Sequence, residues 1–142
     1  MGRPVIVVSS RNRPHELVLL GLSAALGLAY LVTVPPPQSL AALVPAWLAT
    51  MWSLGLFVSG VLGLFAALWR GAIRFALEIE RVAMLVSTGA LLLIGGASFV
   101  VSGWRALFGA SLAIAWAAAN IVRSGQIRRD LAKIIAMEGR HR

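Results

Sequence analysis

Long apolar stretches alternate with short polar ones along this chain. Segments 17–34, 46–69, 82–101 and 106–122 contain no Asp, Glu, Lys or Arg. At about 1.5 Å per residue the first reaches about 27 Å, close to the ~30 Å hydrocarbon thickness of a bilayer. The last is the shortest, near the lower limit for spanning. The pattern predicts an all-α, polytopic membrane protein with four transmembrane helices arranged as two antiparallel hairpins. A basic lead (1–16) precedes the bundle (17–122), and a basic amphipathic helix (123–142) follows it.

The connections carry their own signals. Pro35, Pro36 and Pro37 end the first span by removing three donors in a row. Segment 40–44 is too short to span and is expected at the interface, and Pro45 suits the first turn of the next helix. Segment 70–81 is the charged interval between spans two and three. Its Arg70, Arg74, Glu78 and Arg81 share one helical face. The expected form is a short helical continuation of span two lying at headgroup level. Ser102, Gly103, Trp104 and Arg105 make a tight turn between spans three and four. In the tail, Ile127, Leu131, Ile134 and Ile135 form a helical apolar stripe. Span one also admits a signal-peptide reading, but its run exceeds a usual ~7–15-residue apolar region, and its small-residue triplets lie inside that run. An uncleaved signal anchor is the preferred reading. Gly2 lacks the downstream Ser or Thr of a myristoylation signal, with Ile6 in its place.

Helices in lipid associate by close packing of small residues. Gly55, Ser59, Gly63 and Ala67 lie four apart on span two, and Gly109, Ala113 and Ala117 do the same on span four. Span one offers Gly21 and Ala25, and span three offers Gly95 and Gly96. These faces predict tight contacts, either within the chain or with another copy in a homo-oligomer. Asn120 is the most polar side chain inside a span and is read as helix–helix glue.

Composition sharpens the picture. Of 142 residues, 59% are hydrophobic and 13% charged, against about 45–50% and about 25% in soluble domains. A soluble fold of this size cannot surround four fully apolar helices. The net charge of +8 sits at the ends of the apolar blocks, facing anionic lipid headgroups. Lys and Arg fall almost wholly on one side of the alternation. Arg70, Arg74, Arg81, Arg123, Arg128, Arg129 and Lys133 are among them, together with Arg3, Arg11 and Arg13 of the lead. The opposite side holds Arg105 alone. The positive-inside rule then places both termini in the cytoplasm of a bacterial (host) cell. Trp47 and Trp104 at the outer boundary and Trp69 at the inner one are expected interface anchors. Trp52 lies deeper, and Trp116 reads as a packing residue.

Candidate chemistry is sparse. No ionisable residue falls between the span ends, and Glu16, Glu78 and Glu80 lie outside them. With no membrane carboxylate, a small transporter ranks last. There is no cysteine, which excludes thiol chemistry and disulfides. His15 and His141 stand at opposite ends without partners at metal-ligand spacing. No nucleophile elbow, P-loop or dinucleotide fingerprint occurs. No catalytic, cofactor-binding or metal residue is assigned, and no enzyme activity is expected. Nucleic-acid binding by the tail is disfavoured against lipid binding beside a membrane.

The Pro35–Pro37 turn, Trp47, Trp52 and Ser53, the Trp69-Arg70-Gly71 exit with Glu80-Arg81, and Ser102-Gly103-Trp104-Arg105-Ala106-Leu107-Phe108 carry a whole-chain resemblance. With these features the chain resembles small four-span membrane proteins of actinobacterial phages, some of them holin-like. The resemblance implies a non-enzymatic membrane protein and no catalytic residues. Two functions follow as expectations: a holin-like, membrane-permeabilising protein, or a scaffold whose basic tail docks lipid headgroups or a protein partner.

Overall fold

The computed structural model describes residues 14–69 and 71–139, and side chains as far as residue 136. Residues 1–13 of the basic lead, with Arg3, Arg11 and Arg13, lie outside the described residues, as do Arg70, Arg140, His141 and Arg142. Among those described there is no strand. The elements are α1 (Pro14–Val32), α2 (Gln38–Leu43), α3 (Ala46–Leu68), α4 (Ile73–Ser102), a 3-10 turn (Gly103–Ala106) and α5 (Leu107–Gly139). Three helical stretches are long and apolar enough to cross a membrane: Pro14–Val32, Ala46–Leu68 and Ile73–Ala136. The third contains α4, the turn and most of α5.

Proline and glycine set the boundaries. Pro14 opens α1, where its missing N–H costs nothing. The helix stops at Val32, before the three prolines, and the N–H groups of Thr33 and Val34 both reach back to the Ala29 carbonyl. Gly103 adopts φ 51° and ψ −131°, a region open to glycine alone, and this reverses the chain between α4 and α5.

Segment 70–81 departs from the expected helical continuation of span two. The chain is extended at Trp69 and Ala72, and residues 73–81 form the first turns of α4. Gly71 weakens helix propagation at the break. Beyond it the Arg74–Glu78 pair, at 3.2 Å and four residues apart, supports the new helix. The fourth apolar stretch likewise continues without interruption into the tail. α5 passes through Gly125 to Gly139, 33 residues in all, or roughly 50 Å.

The long helices pack as neighbours in chain order, α1 on α3, α3 on α4 and α4 on α5. Each pair is antiparallel, since contacting positions rise along one helix as they fall along the other. Gly27 meets Ser53 and Phe57 while Gly60 meets Leu20 and Ala24. Trp52 meets Ala90 while Gly55 meets Val86. Gly95 meets Ala110 and Ala113 while Ser87 meets Asn120. α2 covers one end, with Leu40 fully buried among Ala49, Trp52, Leu56, Ala90 and Ala97. Ser39 and Ser98 hydroxyls join α2 to α4 at 3.2 Å.

The tightest crossing is between α1 and α3. A Cβ placed on Gly27 would fall on the Phe57 backbone, and one on Gly60 on the Ala24 backbone. Gly63 is closed off only by the flexible tip of Leu20. By contrast Gly21, Gly89, Gly96 and Gly109 face open space. Gly60→Ala is expected to cost about 1–3 kcal/mol by forcing two backbones apart. Gly96→Ala should be neutral or stabilising by up to about 1 kcal/mol, because the helix gains propensity and nothing is displaced. Unfolding of the purified protein in detergent discriminates the two.

Candidate functional site

The buried charged side chains of the described residues gather at the end of the bundle where α1 begins. Arg123, on α5, is at its centre. Its guanidinium donates to Glu80 Oε1 of α4 from Nε at 2.8 Å and from Nη2 at 2.6 Å. Glu16 Oε2 of α1 stands 3.8 Å from Nε. Only 8% of the Arg123 side chain and 13% of the Glu80 side chain are exposed, so this is a buried ion pair. Desolvating two charges is expensive, and only short, charge-assisted hydrogen bonds offset it. One turn deeper, Asn120 Nδ2 donates to Ser87 Oγ at 3.2 Å. Arg81 brings a second guanidinium to the same end of α4, with its Nε buried and without an acceptor among the described residues.

Arg123, expected among the cations that face lipid headgroups, is buried between helices rather than exposed on the surface. The reason is register. The tight turn at Gly103 sets α4 against α5 so that the residues just before span three face those just after span four. Glu16, Glu80 and Arg123 lie just beyond the charge-free spans in sequence, and the fold brings them together.

Beside this cluster a cleft of about 290 Å³ opens between α1 and α5. His15, Glu16, Asn120, Arg123 and Gln126 line its polar end, and Leu19, Met84 and Trp116 its apolar end. Among the described residues no three His, Cys, Asp or Glu side chains are grouped to hold a metal ion.

The other assigned residues fall in several places. Ser59, Gly63 and Ala117 are buried, Ala67 and Ala113 are half-buried, and Gly55 makes ordinary contact with Val86. Gly109 faces outward. The helix contacts missed in the sequence are Gly27 and Gly60. Trp47 and Trp104 are exposed and Trp69 sits at the edge of exposure, in contact with Phe65 and Phe75. Trp52 is buried and donates from Nε1 to the Ala90 carbonyl at 2.9 Å. The tail's Ile127, Leu131 and Ile134 are buried against Leu77, with Ile73 beside them, while Ile135 is exposed. The apolar stripe is thus covered by α4. Arg74, Arg128, Arg129 and Lys133 remain on the outside, Lys133 at 3.6 Å from Asp130.

Arg123→Leu alone should destabilise the fold by about 3–5 kcal/mol, because Glu80 is left buried without its counter-ion. Combining it with Glu80→Leu should restore most of that loss, and a double-mutant cycle on unfolding in detergent measures the difference. Asn120→Ala should cost only about 0.6 kcal/mol, the average for polar contacts between membrane helices. No family model, curated protein or solved structure matches the chain.

Proposed function

We propose that the chain is a non-enzymatic integral protein of a bacterial (host) cytoplasmic membrane that crosses it four times and permeabilises it in the manner of a holin. α1, α3, the inner part of α4 and the first half of α5 would be the crossings. Both termini and the Arg123 end of the bundle would face the cytoplasm. The observation that carries this reading is the inside-out distribution of polarity. Ser23, Ser53, Ser59, Ser87, Asn120 and Arg123 are buried, while large apolar side chains such as Val18, Leu22, Met51, Val61, Leu92 and Ile121 cover the exterior. Such a bundle is soluble in lipid when closed. Separating its helices would turn a ready polar seam toward a shared aqueous lumen. The resemblance to small phage membrane proteins supports the same reading.

A second reading rests on a separate observation. Beyond the bundle, α4 and α5 continue as a paired stalk with exposed Arg128, Arg129 and Lys133. That surface suits a scaffold that holds anionic headgroups or an acidic protein partner.

Two measurements test these proposals. Induced expression in a bacterial host should depolarise the membrane at a reproducible delay, followed by loss of turbidity. A maintained potential with the protein in the membrane would refute permeabilisation and favour the scaffold. The absence of cysteine makes topology directly readable. Gln38→Cys and Ser102→Cys should react with an impermeant maleimide in intact spheroplasts, and Ala132→Cys only after permeabilisation. Equal labelling of all three would overturn the four-crossing arrangement.

A further inference from the structure

We infer that the cleft between α1 and α5 is a binding site for one inner-leaflet phospholipid whose head carries both an amine and a phosphate, as in phosphatidylethanolamine. The inference rests on the membrane reading above and is independent of permeabilisation. Three observations lead to it.

The first is the ordering of the cleft wall. Trp116 and Gln126 on α5 are ten residues apart, about 15 Å along the helix. Between them the lining passes from Trp116 and Ala119 to Asn120, Arg123 and Gln126, with Val122 the one apolar side chain among the polar ones. α1 runs antiparallel to this order in number and parallel in character, from Leu19 to Glu16 and His15. Apolar and polar ends therefore coincide on both walls, and the polar end lies where the cytoplasmic headgroups would be. An amphiphile lying along the bundle axis matches this gradient, whereas a uniformly polar solute matches only half of it.

The second is charge. The polar end presents both signs: the Glu16 carboxylate, and the donors of Arg123, His15, Asn120 and Gln126. A purely anionic head would meet the Glu16 and Glu80 carboxylates beside Arg123. A zwitterionic head offers its ammonium to Glu16 and its phosphate oxygens to the donors along α5. An ammonium donates three hydrogen bonds where a quaternary amine donates none, which favours ethanolamine over choline.

The third is size and setting. At about 290 Å³ the cleft is at the small end of ligand sites, enough for a head and the first part of one chain. Arg123 is held rigid by Glu80 with its side chain 92% buried, and Asn120 is held by Ser87. Both side chains are thus held in place by these bonds before any lipid arrives, which lowers the ordering cost of binding.

The test uses the full chain, purified from membranes in mild detergent. Native mass spectrometry should detect one retained phosphatidylethanolamine. After delipidation, phosphatidylethanolamine should rebind at least tenfold more tightly than phosphatidylglycerol or phosphatidylcholine. Soluble glycerophosphoethanolamine should bind far more weakly, since it lacks the chain that Leu19, Met84 and Trp116 would contact. Glu16→Gln should remove most of the preference over phosphatidylglycerol. A second measurement keeps the wild-type side chains around the head. In vesicles, acyl-brominated phosphatidylethanolamine should quench Trp116 more than the brominated phosphatidylglycerol does, with Trp116 resolved by difference from Trp116→Phe. Equal affinities for the three lipids, equal quenching, or a Glu16→Gln variant with unchanged preference would overturn the inference. A protein that selects the lipid but leaves the membrane potential intact would sink the permeabilising function alone.

Discussion

The Arg123–Glu80 ion pair sets the terms for the rest of the bundle. A guanidinium and a carboxylate buried together are tolerable only at hydrogen-bonding distance, and here both bonds to Glu80 Oε1 are short, at 2.6 and 2.8 Å. That requirement fixes how far α5 can slide along α4. A one-residue slip would carry Arg123 about 1.5 Å along the axis and 100° around it, breaking the pair. The same register brings Asn120 to Ser87 and Ala113 to Gly95. It also brings Ile127 and Leu131 to Leu77. Glu16 extends the constraint to α1, which has its main packing surface elsewhere, on α3.

Away from that end, packing has to come from shape. Helices in an apolar solvent gain nothing from burying leucine, so close backbone approach and internal hydrogen bonds carry the association. Gly27 and Gly60 supply the approach at the α1–α3 crossing, where each admits the other helix's backbone. Trp52 supplies the hydrogen bond between α3 and α4 by reaching the Ala90 carbonyl, a group already used in a helix and open to a second donor. Buried Ser53, Ser59 and Thr88 turn back on their own helices, to Ala49, Leu56 and Met84 respectively. Small size and self-satisfied hydroxyls let these residues sit inside without a partner on a neighbouring helix.

Much of this architecture was legible in the residues because the signals were strong and local. Pro14, the three prolines from Pro35 and the Gly103 turn each constrain backbone angles regardless of context. What was not legible is which small residues would be used. A four-residue repeat puts Gly55, Ser59 and Gly63 on one face, but α3 has neighbours on two sides, and the α1 contact follows Ser53, Phe57, Gly60 and Gly63 instead. Gly21 and Gly27 are equally small, and only Gly27 lies at the crossing. The ion cluster was concealed by a boundary convention. Drawing spans as charge-free segments places Glu80 and Arg123 just outside, although a tight hairpin at 102–105 already implied that the positions flanking it on either side would meet.

The continuity of α5 changes what its cations can do. A basic amphipathic helix lying flat on a membrane combines electrostatic attraction with insertion of its apolar face. Here Ile127, Leu131 and Ile134 are buried against α4, so that face is already committed. What remains outside is Ile135 and the charges of Arg128, Arg129 and Lys133, with Arg74 on α4 paired to Glu78. Binding through exposed charge alone is screened within about 8–10 Å at ordinary ionic strength. Under the proposed scaffold reading, the stalk would make a salt-sensitive, reversible contact with anionic lipid or an acidic surface. The buried Arg123–Glu80 pair, by contrast, is screened far less by salt.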